Sequence, residues 1–344
     1  MSTDNDLKAI LAKVATGERL NEEQAEQAFS VLMSGQATPS QMGAFLMGLR
    51  LRGETVDEIT GAARVMRAKA TGIIAAENAV DTCGTGGDGS GTYNISTAAA
   101  IVAAAAGATV AKHGNRAASS KSGSADVLMA LGVNLDADMA LLEKALKTIN
   151  LCFMMATRHH SAMRHVMPTR VEMGTRTIFN LLGPLANPAK TKRQVLGVFA
   201  REWVEPIANV LNRLGSVHAW VVHGHDGLDE ISTTGPTFCA EVKNGNVTTF
   251  EINPGDFGLE IATLDALKGG DADENARAIT DLLAGQKSAY RDIVLMNAGA
   301  ALVVSDIATD LADGIAKAAN AIDTGEAAET LKGLVAITNE GNPA

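Results

Sequence analysis

The chain has 344 residues, 46% of them hydrophobic and 20% charged, and a formal charge of −10. That length accommodates two domains, or one large domain with an appendage, around a sizeable core, while the net negative charge argues against broad nucleic-acid binding, which rests on basic surface. Aromatics make up only 3%, so the core must be built from Ala, Val, Ile, Leu and Met, a composition suited to helices packed on a parallel sheet rather than to a β-sandwich.

The opening segment MSTDNDLKAI lacks the basic-then-apolar pattern of a signal peptide, and no apolar run reaches the roughly 20 residues needed to span a bilayer. Cys83, Cys152 and Cys239 are far apart and show no metal-ligand spacing, which fits a reducing cytoplasm without membrane attachment. Between Leu7 and Ala70, NEEQ (Asn21–Gln24), TPSQ (Thr38–Gln41) and TVDE (Thr55–Glu58) each pair a capping side chain with Glu or Gln three residues on. This is the capping-box pattern, and Pro39 stands where a first helical turn tolerates it. Apolar residues follow at helical spacing, and Gly35 and Gly53 fall where helices stop. A small helical bundle over residues 1–71 is expected, with no chemistry of its own and with apolar surface suited to packing or dimer formation.

After Gly72 short apolar runs alternate with helical stretches. AVDTC, ATVAKHG, LCFMMA, QVLGVFA and HAWVVHG read as buried strands, and Ala125–Leu131, Met139–Ile149 and Trp203–Leu214 as helices between them. The fold class is therefore α/β, with a mainly parallel sheet beside a small N-terminal helical domain. TFCAEVKNGNVTTFEI adds two β-rich runs around Asn244-Gly245, a strong hairpin signal, and residues 265–344 return to alanine-rich helical patterns.

In an open α/β sheet ligands bind beyond the carboxyl ends of the strands, and four polar stretches follow strands here. DTCGTGGDGSGTYNIST (81–97) crowds glycines before a helix start at Asn94–Thr97, where backbone N–H groups can cradle a phosphate without net positive charge. KHGNRAASSKSGSAD (112–126) combines Lys112, Arg116 and Lys121 with hydroxyls and glycine, the means of holding a polyanion. TRHHSAMRHVMPTRVEMGTRT (157–177) is histidine-rich, but it is basic and offers no Cys or Asp to complete a tetrahedral zinc site. Arg170 within it could grip a carboxylate with two parallel hydrogen bonds. HGHDGLDEIST brings Asp226, Asp229 and Glu230 together. Magnesium is held by one or two carboxylates together with substrate phosphates, so acid in this loop and base in the others describe a metal-bridged polyphosphate.

GTGGD (84–88), NIST (94–97), KHGNRAASS (112–120), GSADVLMALGV (123–133), GTRTIFNLLGPLANPA (174–189) and GLDEIS (227–232), in this order, closely resemble the anthranilate phosphoribosyltransferase family over nearly the whole chain. The resemblance implies a fold of the nucleoside-phosphorylase type. Its helical domain, residues 1–71 joined by part of 160–185, would pack beside an α/β domain over 72–344 and form a homodimer. It implies that the amino group of anthranilate displaces pyrophosphate from 5-phosphoribosyl 1-pyrophosphate (PRPP), with Mg2+. By motif, Gly84, Gly87, Asp88, Thr92, Asn94, Ile95, Ser96, Thr97, Lys112, His113, Gly114, Asn115, Arg116, Ala117, Ala118, Ser119, Ser120 and Ser124 would contact PRPP. Ser96, Asp229 and Glu230 would hold the metal, and Gly84, Asn115 and Arg170 would meet anthranilate. No dedicated acid or base is implied, because an aromatic amine is already neutral at pH 7 and needs orientation more than deprotonation.

Thr157 and Ser161 stand where the family pattern favours proline, and Thr169 where an aliphatic residue is commoner, so the shape of the anthranilate channel stays open. Two rival readings remain: a pyrimidine-nucleoside phosphorylase of the same fold, against which KHGNRAASS and Arg170 stand, and a non-catalytic nucleic-acid-binding paralogue, for which the basic surface is missing.

Overall fold

Capping chemistry sets the first helices. In the computed structural model, which describes residues 3–117 and 121–341, these are α1 (Thr3–Ala15), α2 (Glu22–Met33), α3 (Pro39–Arg52) and α4 (Val56–Lys69). Asn21, Thr38 and Thr55 each accept the N–H of the residue three positions on, whose Gln or Glu side chain in turn accepts the cap's own N–H. Glu58 does more than close its box: fully buried, it also accepts from the Leu20 amide at 2.8 Å and from Arg52 Nη2 at 2.6 Å, tying the α1–α2 connection to α3 and α4. Gly35 and Gly53 end α2 and α3 with φ of +76° and +82°, a region glycine enters without a Cβ penalty.

The rest of the chain winds as β1 (Val80–Gly84), α5 (Ile95–Ala105), β2 (Val110–Gly114), α6 (Ser124–Ala130), α7 (Met139–Ile149), β3 (Leu151–Met155), α8 (Ala156–His159), α9 (Met167–Met173), α10 (Phe179–Leu182), β4 (Arg193–Gly197), α11 (Val204–Arg213) and β5 (His218–Gly224). The hairpin β6 (Thr237–Lys243) and β7 (Asn246–Ile252) follows, then α12 (Ala272–Leu283), α13 (Ala289–Val304), α14 (Leu311–Asp323) and α15 (Glu326–Thr338). All five expected strands form, and so does the hairpin. Asn244 and Gly245 both take positive φ, 51° and 85°, the signature of a two-residue turn matched to strand twist. The stretch 157–177 is less of a loop than its composition indicates: α8, a 3₁₀ turn over Ser161–His165 and α9 make it largely helical, with Pro168 in the first turn of α9.

The strands form one seven-stranded sheet in the order β3-β2-β1-β4-β5-β6-β7, parallel from β3 through β5 and antiparallel at the hairpin. The chain winds outward from β1 through β2 to β3, then returns to start the other half at β4. The switch point therefore lies between β1 and β4, and in such sheets the ligand crevice opens at their carboxyl ends. Alternate residues feed two cores. Val195, Trp220 and Val222 face α5, α13 and the C-terminal helices, while Leu196, Ala219 and Val221 face α11 and the N-terminal helices. Residues Ala98, Ala99, Ala100, Ala103 and Ala104 of α5 are all buried, which lets the helix lie close between the sheet and α13.

Candidate active site

The adjoining ends of β1 and β4 carry glycines because another loop occupies the crevice. Gly84 and Gly197 are register partners at the ends of the two strands. A Cβ on Gly84 would lie 2.3 Å from Asp229 Oδ2, and one on Gly197 1.6 Å from the Asp229 carbonyl oxygen. The two glycines let the acidic loop after β5 descend onto the strand ends. Gly84 belongs to the expected site. Gly197 lies outside the motifs that mark it, although a glycine within a strand pattern does signal close backbone approach. Gly197→Ala is expected to push the Asp229 main chain out of place, costing about 1 to 3 kcal/mol of stability as an overpacked site and most of the activity. Thermal unfolding and turnover measured on one preparation check this, and wild-type turnover would show that the loop tolerates displacement.

Beyond Gly84 the glycine loop runs with positive φ at Gly86, Gly87, Gly89 and Gly91. It is fastened at several points. The Gly86 amide donates to Asp229 Oδ2 at 2.7 Å, Arg176 Nη2 donates to the Gly87 carbonyl, and Ser90 Oγ donates to Asp88 Oδ2 at 2.7 Å. Thr92 forms a bridge to Lys268, and the Gly269 amide reaches the Gly91 carbonyl at 2.9 Å. Asn94, the N-cap residue of α5, makes no side-chain bond to the helix. Its side chain instead spans elements, donating to the Ser122 carbonyl at 3.2 Å and accepting from Asn275 Nδ2 at 2.9 Å. Ser96 and Thr97 thus lie inside the first turn and do not cap it. The Ser96 amide donates to Glu230 Oε1 at 3.1 Å, and the buried Thr97 hydroxyl has no hydrogen-bond partner among the described residues. Ile95 is buried, and its amide donates to the Tyr93 carbonyl at 2.9 Å.

Asp229 and Glu230 therefore meet the glycine loop and the start of α5 from the opposite side of the crevice. Burial raises both carboxyl pKa values, to about 6 for Asp229, where the charge on Asp88 adds to the effect, and to about 8 for Glu230, where Asp229 adds. Among the described residues no group of three or more His, Cys, Asp or Glu is placed to hold a metal by itself. Two carboxylates, one of them on the Ser96 amide, are hard oxygen donors, too few for a complete cage and suited to magnesium that takes its other ligands from phosphate. Two carboxyls pushed toward protonation are the groups a divalent cation would return to the charged form.

Lys112, on β2, is 2% exposed, and its ammonium donates to the Thr82 carbonyl and to Ser96 Oγ at 3.2 Å. Burial lowers its pKa while Asp81, Glu230 and Asp229 oppose that, so it acts as an internal cation beneath the start of α5. His113 donates its amide to Asp81 Oδ1 at 3.2 Å, and its ring packs edge-on against His160 with centroids 5.1 Å apart. Burial holds both imidazoles down, His160 to about 4, so they are neutral near pH 7. Gly114 and Gly123 bring main chain close: a Cβ on Gly123 would lie 2.4 Å from the Ala117 amide nitrogen. Asn115 is exposed and its Oδ1 accepts the Arg116 amide at 2.9 Å, while Ser124 opens α6. Arg116 pairs with Asp126 at 3.2 Å, and Asp126 also accepts the Ala117 and Gly123 amides at 2.9 Å each. Ala118, Ser119 and Ser120 lie outside the described residues.

Of the third stretch, Arg176 joins the site through Gly87 and stacks 4.4 Å over the Phe199 ring. Arg170 lies 5.3 Å from the Phe179 ring centroid and touches Met167 Sδ at 3.6 Å. No carboxylate pairs with it among the described residues, and burial lowers its pKa. His159 is buried with Nδ1 2.6 Å from the Thr71 carbonyl, a structural tie between α8 and the end of the helical segment.

Residues 76–328 match the model of the glycosyl transferase family a/b domain, and residues 8–70 that of its helical bundle domain. An anthranilate phosphoribosyltransferase from Azospirillum brasilense is 66% identical over 97% of this chain and 94% of its own length. The chain belongs to the anthranilate phosphoribosyltransferase family. A family member of solved structure, from Thermus thermophilus, superimposes with a TM-score of 0.91 at 44% identity, covering 96% of this chain and 99% of its own. The Saccharomyces cerevisiae anthranilate phosphoribosyltransferase in complex with PRPP and Mg gives a TM-score of 0.88 at 28% identity, covering 97% and 98%.

Proposed function

We propose that the β1–β4 crevice divides the transferase reaction between two halves, with the diphosphate of PRPP over the glycine loop and the start of α5, and the anthranilate carboxylate at Arg170. The enzyme transfers the phosphoribosyl group of PRPP to the amino group of anthranilate, giving N-(5-phosphoribosyl)anthranilate and pyrophosphate, the second step of the tryptophan branch from chorismate. The observation that carries the division of labour is the convergence of Gly84, Gly86, Ser96, Asp229 and Glu230 at the switch point, with Arg170 on a separate element and without a carboxylate partner among the described residues.

Asp229, Glu230 and Ser96 would hold magnesium. When bound, Mg2+ with the substrate's phosphate oxygens neutralises charge on the leaving pyrophosphate. Lys112 stabilises the acidic pair from beneath, and the positive φ angles of the glycine loop turn main chain rather than side chains toward the diphosphate. The amine nitrogen attacks C1 of the ribose as the C1–O bond to pyrophosphate breaks. The acidic arylammonium so formed releases its proton to solvent or to the departing pyrophosphate, and the protein contributes orientation rather than a base.

Arg170→Ala is expected to raise the apparent KM for anthranilate about ten- to a hundredfold, the value of a charge-assisted hydrogen bond of about 1.5 to 3 kcal/mol, with little change for PRPP. Arg170→Lys should recover only part, since an ammonium lacks the planar fork. Arg176 cannot readily substitute, because it is committed to the Gly87 carbonyl. Steady-state kinetics varying each substrate in turn decide, and a defect confined to PRPP would sink the assignment.

The same reading extends to assembly and location. Residues 1–71 joined by part of 160–185 form the helical unit, and 72–344 the α/β unit. The Phe179 ring packs edge-on against Phe29 with centroids 5.6 Å apart, which supports that division, although the shared core continues into Leu196, Ala219 and Val221 of the sheet. The helical unit pairs two copies into a homodimer through apolar side chains it leaves exposed, Leu51, Met167 and Val171. No helix among the described residues is long and apolar enough to cross a membrane, and the enzyme works in the cytoplasm.

A further inference from the structure

We infer that Asn297, in the middle of α13, is a positioning residue that fixes the metal-binding carboxylates without touching substrate. The helix around it is apolar and buried on every side, from Ile293 to Val304, and an amide in such a place must be satisfied internally or cost stability. Asn297 is 2% exposed and directs its amide mainly at the backbone of one residue: Oδ1 accepts the Ile231 amide at 3.0 Å, and Nδ2 donates to the Ile231 carbonyl at 2.9 Å and to the Ile293 carbonyl at 2.8 Å. The side chain thus imitates a neighbouring strand, pairing with both polar groups of the residue that immediately follows Glu230. Ile231 is itself fully buried, so the clamp and the packing together leave the backbone of the acidic loop little freedom.

The same face of α13 reaches the other half of the site. Tyr290 lies seven residues earlier, two helical turns away. Its hydroxyl is 3.3 Å from the Asn94 carbonyl and its ring packs against Tyr93 at 4.5 Å. One rigid helix therefore touches the start of α5 through Tyr290 and the acidic loop through Asn297, and so fixes the separation at which Ser96 meets Glu230. Groups that orient metal ligands from behind typically change metal affinity about 10- to 100-fold when removed.

The inference rests on the proposed metal site, and its test separates the two. With PRPP present, Mn2+ binding followed by electron paramagnetic resonance should weaken at least about tenfold in Asn297→Ser. The KM for PRPP should rise and the KM for anthranilate should stay at the wild-type value. A wild-type metal affinity in Asn297→Ser, with only a lower unfolding temperature, would overturn the inference, as would an equal rise in both KM values. Should that variant fail to fold, hydrogen exchange on the wild-type protein decides instead. The Ile231 amide should be strongly protected before any metal or PRPP is added, and rapid exchange there would overturn the positioning role. A wild-type protein that binds no Mn2+ in the presence of PRPP would instead overturn the metal site itself.

Discussion

Replacing Asp229 with Asn and Glu230 with Gln together is expected to depress turnover by about a hundred- to a thousandfold and to flatten its dependence on magnesium, while the fold survives. A divalent cation on a leaving phosphate is worth several kcal/mol of charge stabilisation, and each ~1.4 kcal/mol is tenfold in rate. The stability effect has the opposite sign. Both carboxyls have folded-state pKa values above their ordinary 3.8 and 4.5, about 6 and about 8. The folded state then binds more protons than the unfolded chain, so stability is lost as pH rises through that window. Relative to the doubly neutral variant, metal-free wild-type protein should lose stability between about pH 4 and pH 8, and magnesium with PRPP should restore it; the variant keeps the opposite trend of His113, His159 and His160, whose pKa values burial lowers. Wild-type turnover across a magnesium titration of the double variant would reduce Asp229 and Glu230 to an acidic turn.

Gly86→Val should abolish productive PRPP binding. The residue has φ of +64° and open space around its missing Cβ. The free protein would therefore accommodate the side chain sterically and incur only the backbone penalty of a left-handed L-residue, about 1 to 2 kcal/mol and more for a β-branched one. The open space is the expected seat of the diphosphate, so a Val should exclude it. Gly86→Ala separates the two effects: it carries the backbone penalty with far less bulk, and should lose less affinity than Val by calorimetry. Unchanged affinity in Gly86→Val would mean that the loop serves chain flexibility and not close approach.

Much of this was legible in the sequence because it is written in local chemistry. The capping boxes at Asn21, Thr38 and Thr55, the Asn244-Gly245 turn and the glycine run before α5 each need only a few adjacent residues to be recognised. The order of loops after strands placed the four polar stretches at the sheet's carboxyl end. What escaped depends on residues distant in the chain. Gly197 is required by the Asp229 main chain, and Asn297 is the polar residue within the apolar stretch Ile293–Val304, with its partner at Ile231. Lys112 reads as a phosphate-binding cation, yet its position within β2 turns it inward beneath α5. The histidines of 157–177 read as a basic loop, whereas burial keeps His160 neutral against His113. Periodicity says that a residue is buried; it does not say which distant loop the residue will hold.

Anthranilate is fluorescent, so its consumption can be followed directly in the presence of PRPP and magnesium. The assignment predicts a loss of signal that requires all three components, stops on chelation of the metal, and releases one pyrophosphate for each anthranilate consumed. An unchanged anthranilate signal at high enzyme concentration, with PRPP and magnesium saturating, would contradict it.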